Sequence, residues 1–330
     1  MAQIAGEPTV GPEVVASGTE AASQGVVGRT PWQLFWRRFR RDKFAIAGLV
    51  FLAIVAVVAF AAPLFARLTG HGPNDVFLRE VTTEVGLPTG PSSEFWFGGT
   101  RAGQDLFVRV IYGARTSLSV ALVATGISLF IGVLLGLAAG YYRGKTDTVI
   151  SRITDIVLSL PILLLALGLV AACGLSREGC LGGLIRPGLL LVSYVIGLFS
   201  WPYIARIVRG QVLSLREKEF IEAARSQGAG DFRIMLREVL PNVIAPIIVY
   251  TTLIIPNNIL FEAALSFLGI GVPPTTPSWG RMLADASVQG TYTVAPWTMV
   301  FPGIFLFMTT LAFNLVGDGL RDALDPRPAR

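Results

Sequence analysis

The ionisable and nucleophilic side chains of this chain are few, and their spacing limits the chemistry that they could perform. His71 is the only histidine among 330 residues, so a Ser/His pair or a histidine-rich metal site would depend on one residue. The segment AGYYRGKT (139–146) partly matches the pattern of a phosphate-binding loop. The match fails because Ala139 stands where the first glycine is needed and an apolar run, not a strand, precedes it. We expect no catalytic residue, metal site or nucleotide site, and we expect His71 to be a solvated loop side chain.

Cys173 and Cys180 are the only cysteines, and they bracket the hexapeptide GLSREG. A disulfide between them would contribute about 2 to 3 kcal/mol by constraining the unfolded chain. Such a bond persists in oxidising surroundings, outside the cytoplasm. Two free thiols near a helix end are the alternative, and the spacing does not decide between the two.

Few acidic residues interrupt the apolar parts of the chain. Asp155 and Glu262 stand at the ends of apolar runs, where headgroups or neighbouring helices can solvate them. Carriers that are coupled to protons or ions commonly place Asp, Glu or His at membrane depth. The sequence therefore does not favour a self-sufficient secondary transporter or channel, which we keep as the alternative function.

The composition is that of a membrane protein. Hydrophobic residues make up 52% of the chain and charged residues 15%, whereas soluble domains carry about 25% charge. A membrane-spanning helix needs about 20 apolar residues. Suitable runs lie at residues 44–66, 116–142, 156–175, 187–205, 239–261 and 294–316. The sequence thus predicts an all-α polytopic membrane protein with six transmembrane helices.

The positions of Lys and Arg predict the orientation, because short cytoplasmic loops are enriched in both. With the N-terminus inside, the cytoplasmic segments hold nineteen of these residues and the outer segments eight. Both termini are therefore predicted to be cytoplasmic. The same asymmetry accounts for the net charge of +5, so no nucleic-acid partner is expected although a basic chain is one footprint of such binding.

Composition and topology divide the chain into five segments. They are a disordered cytoplasmic tail (1–29), an interfacial helix with the first transmembrane helix (30–66), an extracytoplasmic loop (67–105), a core domain with five transmembrane helices (106–320) and a cytoplasmic tail (321–330).

The predicted interfacial helix lies in TPWQLFWRRFRRDKF, where Thr30 can cap and Pro31 suits the first helical position. Trp32 and Phe35, followed by Trp36 and Phe39, recur on one side at helical spacing. Such a helix lies in the membrane interface, with its rings among acyl chains and its cations near lipid phosphates. A plain basic flank is the alternative.

Small residues recur at every fourth position of the second run. They are Ala124, Ser128, Gly132, Gly136 and Gly140. Helices in lipid associate by close approach at such faces, so we expect the three glycines to pack against another helix. The general glycine richness of membrane helices is the alternative explanation.

Charge is concentrated in SLREKEFIEAARSQGAGDFRIMLREVLPN, residues 214–242, between two apolar runs. Four local patterns in this stretch mark the ends of helices. They are a capping box at Ser214 and Glu217, a left-handed glycine at Gly228, a cap at Asp231 and a helix break at Pro241. They predict a short helix, a sharp turn and a second short helix on the cytoplasmic side.

The first of these short helices presents a narrow apolar face formed by Phe220, Ala223 and Ala224. Alanines permit close approach, and Glu222 and Arg225 can make charged contacts, so the pattern favours docking into a groove of a soluble partner. A solvated loop that only separates two spans is the alternative.

EAARSQG, followed by Leu240 and Pro241, resembles the EAA loop of permeases of binding-protein-dependent ABC importers. YGARTSLSVAL, LSLPILLLAL, EAALSFLGIGVPPTTPSWGRML and LAFNLVGDGLRDALDP also resemble the C-type permease subunits of dipeptide, oligopeptide and nickel importers, over roughly residues 30 to 326. The resemblance implies a type I ABC importer permease fold in the bacterial inner membrane. It also implies a coupling helix seated on an ATPase, with Glu222, Ala223, Ala224, Gly228, Leu240 and Pro241 at matching positions.

By the same resemblance, the chain pairs with a related second permease and is not itself an enzyme. Two ATPase subunits would hold ATP and Mg, and an extracytoplasmic binding protein would deliver a peptide or similar small solute for transport by alternating access.

Two positions depart from the family pattern in FGGTRAGQDLFVRVIYG, where relatives usually read closer to GTDELGRDVLSRLIYG. Arg101 replaces an acid, and Gln104 replaces an arginine. A further departure is Glu238, at a position where the wider EAA pattern has Ile. We expect the segment around Arg101 to face the binding protein or the second permease.

Overall fold

The computed structural model describes residues 31–175, 188–288 and 290–324. Within those ranges the chain is helical, and β-pairing is limited to isolated bridges between Thr82 and Pro88 and between Gly99 and Asp105. The helices are α1 (Pro31–Phe39), α2 (Lys43–Phe60), α3 (Ala62–Thr69), α4 (Leu78–Val81), α5 (Leu106–Tyr142), α6 (Gly144–Ser159), α7 (Ile162–Leu175), α8 (Leu189–Leu215), α9 (Glu219–Ser226), α10 (Asp231–Ile234), a π-helical turn (Met235–Val239), α11 (Leu240–Phe267), α12 (Trp279–Val288), a 3₁₀ turn (Thr291–Thr293) and α13 (Trp297–Leu324). The predicted all-α class is confirmed.

The predicted tails fall largely outside this description. Residues 1–29 and the capping residue Thr30 lie outside the described residues, as do residues 325–330. Residues 321–324 complete α13.

Five helical segments of the described chain are long and apolar enough to cross a membrane: α2, α5, α8, the continuous run Asp231–Phe267, and α13. α6 and α7 add a sixth span if they cross as a bent pair, with an angle of 85° between them. The predicted run at residues 156–175 is not one continuous helix, because α6 ends at Ser159 and α7 begins at Ile162. Leu160 is extended, with φ −84° and ψ 144°, because the ring of Pro161 disfavours a helical conformation at the preceding residue.

α5 begins at Leu106 rather than at residue 116 because Asp105 caps it. Asp105 Oδ1 accepts a hydrogen bond from the backbone N–H of Phe107 at 2.8 Å, a typical N-cap contact. The helix has 37 residues, so it is about 55 Å long. Since the hydrocarbon core is about 30 Å thick, α5 extends past the bilayer core.

The glycines of α5 lie against α8. A Cβ atom on Gly136 would be 2.7 Å from the Ala205 carbonyl oxygen and 2.7 Å from Val208 Cβ. Gly132 and Gly140 approach α8 as closely. A side chain at these positions requires the two helices to move apart, which accounts for the small-residue stripe on this face.

His71 is buried, so the prediction of a solvated side chain is wrong. Its Nδ1 lies 2.7 Å from Asp105 Oδ2. Its ring packs between Phe77 and Phe95, at centroid distances of 4.5 and 4.7 Å. The loop that precedes α5 therefore has a small aromatic core of its own, which ties it to the carboxylate that caps α5.

α1 forms as a helix, and its aromatic residues pack on one another. The ring centroids of Trp32 and Phe35 are 5.2 Å apart, and those of Phe35 and Phe39 are 5.9 Å apart. Phe39 is buried against Ala45 and Ala323, so the end of this helix is fixed to α2 and α13. Trp32 is 65% exposed, as an interfacial role requires.

The two cysteines are described only in part. Cys173 is buried near the end of α7 and disulfide-bonded. Cys180, the other member of the possible disulfide, lies outside the described residues.

Glu262 does not stand at the end of a span, as predicted, but inside α11, where it is 0% exposed. Its carboxylate accepts hydrogen bonds from Ser117 of α5 at 2.9 Å and from Ser266 at 2.7 Å. Neighbouring hydroxyls therefore replace the water that a carboxylate requires. Asp155, by contrast, is exposed and pairs with Arg206 at 2.7 Å.

The bundle has two distinct ends, which we name by the short helix at each. At the α9 end, the Tyr141 hydroxyl donates to Asp231 at 2.7 Å. This bond links the end of α5 to the start of the run Asp231–Phe267, which we call the fifth span because it follows the α6–α7 pair and α8. At the α12 end, Trp279 Nε1 donates to the Val110 carbonyl at 3.1 Å, and the ring centroids of Phe97 and Phe301 are 3.9 Å apart.

Candidate functional site

The charged stretch 214–242 forms the connection between α8 and the fifth span, at the α9 end. The short helix in it begins at Glu219, after Lys218, so the predicted capping box at Ser214 and Glu217 is wrong. α8 continues to Leu215, and Ser214 Oγ donates to the Gln211 carbonyl at 2.8 Å instead of capping a new helix. Glu217 pairs with Arg143 at the end of α5.

α9 ends in a Schellman motif, with Gly228 in the left-handed conformation at φ 80°. The Gly228 N–H donates to the Arg225 carbonyl at 2.9 Å, and the Ala229 N–H donates to the Ala224 carbonyl at 3.1 Å. These two bonds satisfy the last carbonyls of the helix and turn the chain sharply. Gly228 has the backbone conformation that the sequence predicts.

The side of α9 that packs on the bundle is centred on Ile221, which is not part of the predicted docking face. Ile221 is 0% exposed, in a cluster with Ile234 and Val239, and the partly buried Ala224 packs against the same cluster. These two residues are three positions apart and therefore share one side of the helix. Ala223 is exposed and Phe220 is 39% exposed, so these two residues of the predicted docking face point outward, whereas Ala224 packs inward with Ile221.

Asp231 is the first residue of α10 and not its cap, which is Gly230. Its carboxylate accepts from the Tyr141 hydroxyl at the end of α5, so it fixes the loop to the bundle. The Arg225 guanidinium lies 5.4 Å from the centre of the Tyr141 ring. The hydrogen bond to the Tyr141 hydroxyl raises the pKa of Arg225, which remains a cation.

The predicted helix break at Pro241 does not occur, because Asp231–Phe267 forms one continuous span. Met235–Val239 is a π turn in which the Leu240 N–H donates to the Met235 carbonyl. Pro241 follows directly, in the first turn of α11, where its missing N–H is tolerated. The short second helix of the prediction is therefore the first part of a membrane span.

The outward side of this loop carries Glu222, Ala223 and Gly228, all exposed. Phe232 is 72% exposed, and the sequence interpretation did not select it. A phenylalanine that directly follows a Gly-x-Gly-Asp turn in a charged segment was the available signal. The loop thus presents a mixed apolar and charged surface, which suits contact with another protein. Ile221 and Asp231 fix its inner side to the bundle.

A groove of about 750 Å³ lies between α7, α8 and α11. Its walls are mainly apolar, with Ser200 and Asn258 among the polar groups. Ser200 Oγ donates to Asn258 Oδ1 at 3.1 Å, and Asn258 Nδ2 donates to Thr125 Oγ1 at 2.9 Å. The groove is large enough for a small solute.

Comparisons with known protein families agree with this architecture. Residues 132–330 match the family described as binding-protein-dependent transport system inner membrane component. Residues 30–80 match the N-terminal transmembrane domain of oligopeptide transport permease C. The first match covers the α9 loop and the second covers α1 and α2.

Among individual proteins, the chain is 43% identical over 300 residues to the glutathione transport system permease protein GsiD of Escherichia coli O6:K15:H31, covering 91% of both chains. It is 41% identical over 300 residues to the dipeptide transport system permease protein DppC of Alkalihalophilus pseudofirmus, covering 90% of both.

Among solved structures, the fold is similar to a chain of the MetNI methionine ABC transporter in an inward-facing conformation. The TM-score is 0.50 at 20% identity, with 65% of this chain and 96% of that chain covered. Together, the extent of the family match and the identity to the curated permeases show that the chain belongs to the family of binding-protein-dependent transport system inner membrane components, as a transmembrane permease subunit of an ABC importer.

Proposed function

We propose that this permease carries peptides or similar small solutes from an extracytoplasmic binding protein into the cytoplasm. The proposal is supported by the relatives named for glutathione and dipeptide transport, which match nearly the whole chain. The groove between α7, α8 and α11 is our candidate for a wall of the solute path, because the partly exposed Tyr203 and Tyr250 add hydroxyl groups to a mainly apolar surface.

We place the α9 end in the cytoplasm of a bacterial cell, with the chain in the inner membrane. The support is the excess of Lys and Arg in the segments assigned to that side, since positive residues are retained on the cytoplasmic face. Both termini then lie inside, the loop 67–105 and α12 lie outside, and α1 rests on lipid headgroups.

The observation that carries the mechanism is the rigid attachment of α9 to the membrane-spanning part. Ile221 anchors the helix in the core, and Gly228 closes it by a Schellman turn. Beyond that turn the chain enters a span that is continuous from Asp231 to Phe267. In our proposal, an ATPase contacts the exposed side chains of α9, and its movement reaches the fifth span without an intervening flexible loop.

The Tyr141–Asp231 bond adds a second route for this movement, into α5. α5 packs closely on α8 through its glycines, so the two helices and the fifth span would shift together. Changing an inward-to-outward ratio from 1:99 to 99:1 takes about 5.5 kcal/mol of differential binding. We assign this energy to ATP binding between the two partner ATPases.

The complex that we propose has four kinds of component around this chain. It contains a related second permease, two ATPase subunits with their ATP and Mg, the extracytoplasmic binding protein, and membrane lipid. The described residues of this chain contain no group of His, Cys, Asp and Glu side chains that could hold a metal ion, and we assign no cofactor to it.

Affinity purification tests this proposal. The chain is tagged in its native cell, extracted from the membrane in mild detergent and analysed with its partners by mass spectrometry. We expect a second permease, one or two kinds of ATPase and a binding protein, and the ligand of that binding protein names the solute. Recovery of this chain alone, in conditions that keep a known ABC importer intact, would contradict the proposal and favour a self-sufficient carrier.

A further inference from the structure

A second cavity lies at the α12 end, away from the α9 loop and from the groove between α7, α8 and α11. Its volume is about 260 Å³, and it is lined by the turn before α5, the starts of α5 and α13, α12 and the segments on either side of α12. Three arginines and one aspartate line it: Arg101, Arg109, Arg281 and Asp285. The lining therefore carries an excess of positive charge.

The single aspartate offsets only one positive charge of the lining, through its ion pair with Arg281. Arg109 is 3% exposed, and its Nη1 donates to two neutral acceptors, the Pro73 carbonyl at 3.0 Å and Asn74 Oδ1 at 3.4 Å. Asp285 Oδ1 lies 3.0 Å from Arg281 Nε, but this N–H has no hydrogen-bond acceptor among the described residues.

The cavity also contains a buried hydroxyl that lacks a hydrogen-bond partner. Thr291 is 4% exposed and lines the cavity, and its Oγ1 has no hydrogen-bond partner among the described residues. Burying a polar group without a partner is unfavourable. A buried hydroxyl without a hydrogen bond, beside an excess of positive charge, is suited to an anionic acceptor that supplies the missing bond.

We propose that this cavity receives a single carboxylate, presented by an Asp or Glu side chain of the extracytoplasmic binding protein. The inference rests on the proposed function, which places the α12 end outside the cell. A side chain is favoured over a whole solute because the cavity is smaller than the roughly 300 to 1,000 Å³ of small-molecule sites. Arg101 and Gln104, the two departures from the family pattern noted in the sequence, both line the cavity.

Thr291→Val tests the proposal without disturbing the fold, because it replaces an unpaired buried hydroxyl by a methyl group of the same shape. The matched control is Thr293→Val, two residues away, whose Oγ1 already donates to the Gly290 carbonyl at 2.8 Å on the exposed side. The complete importer complex is placed in nanodiscs, and the affinity of its copurified binding protein is measured by biolayer interferometry.

We expect Thr291→Val to weaken this affinity about tenfold or more, the effect of one hydrogen bond to a charged group, with an unchanged or higher melting temperature. Thr293→Val should bind like the wild type. Arg101→Glu, at the rim, should slow association and reduce its dependence on salt, as rim charges do.

Three results would overturn the proposal, each in a different way. Equal affinity of the wild type and Thr291→Val, with unchanged uptake, would mean that water, and not a carboxylate, forms the hydrogen bond to Thr291. Equal affinity together with a higher solute concentration for half-maximal uptake would assign the carboxylate to the solute. If the wild-type complex binds no binding protein at all, the proposed function fails as well.

Discussion

Replacing Gly228 by valine should uncouple ATP hydrolysis from transport. Gly228 has φ 80°, and a Cβ atom there would meet nothing within 4 Å. The penalty is therefore confined to the backbone, where the left-handed conformation costs an ordinary residue about 1 to 2 kcal/mol. That energy corresponds to a factor of about 5 to 30 in the population of the native turn.

Gly230 provides a control within the same loop. A Cβ atom there also meets nothing within 4 Å, but the backbone is extended, with φ −71° and ψ 156°, a conformation that valine adopts readily. Gly228→Val and Gly230→Val thus add the same side chain to the same exposed loop and differ in backbone strain. Gly228→Asn, which tolerates the left-handed region better, should fall between the wild type and Gly228→Val.

The assay uses proteoliposomes that contain the whole importer with its binding protein, and it measures solute uptake and ATP hydrolysis in the same sample. We expect Gly228→Val to reduce the solute imported per ATP hydrolysed several-fold while the complex still assembles, and Gly230→Val to remain close to the wild type. Normal coupling in Gly228→Val, or an equal loss in both variants, would refute the role of the left-handed turn.

Three further substitutions test the contacts that hold the bundle together, each by thermal unfolding of the purified protein. Gly136→Val should destabilise it by about 1 to 3 kcal/mol through overpacking against α8, whereas Gly126→Val, on the same helix with nothing within 4 Å of its Cβ position, should have little effect; equal melting temperatures would argue against close α5–α8 packing. Glu262→Ala leaves two buried serine hydroxyls without their acceptor and should destabilise by about 1 to 3 kcal/mol for each group left unsatisfied, while Glu262→Gln retains an acceptor oxygen and should lose less; the reverse order would show that the negative charge itself is required. Asp105→Ala removes both the cap of α5 and the partner of His71, so its loss of stability should exceed the roughly 0.5 to 2 kcal/mol that is typical of losing a cap alone. Asp105→Asn keeps an acceptor oxygen for the cap and should lose less. If Asp105→Asn melts at as low a temperature as Asp105→Ala, the cap is not the main contribution.

The sequence predicted the features that depend on local composition and spacing. Apolar runs of sufficient length identified the spans, because a helix that crosses lipid must be apolar along most of its length. Gly228 was identified as left-handed because few other residues adopt that conformation at the end of a helix. The small-residue stripe of α5 indicated a packing face before its partner helix was known.

Two of the errors in the α9 loop share a physical cause, which is competition from contacts with other helices. Ser214 and Glu217 match a capping box, but α8 extends past Ser214 and Glu217 finds Arg143. Asp231 matches a cap and instead bonds to Tyr141. In each case the polar side chain had two possible partners, and the fold decided between them.

The sequence by itself thus determined the class of the protein, the approximate spans, the charge asymmetry and the charged loop with its left-handed glycine, because each is encoded in neighbouring residues. Only the tertiary structure decided which α9 side chains are buried, that the helix after Gly228 continues unbroken into the fifth span, and that His71 and Glu262 are internal. It also decided that Arg101, Arg281 and Thr291 line one cavity. These properties depend on residues far apart in the chain, and they become neighbours only when the helices pack.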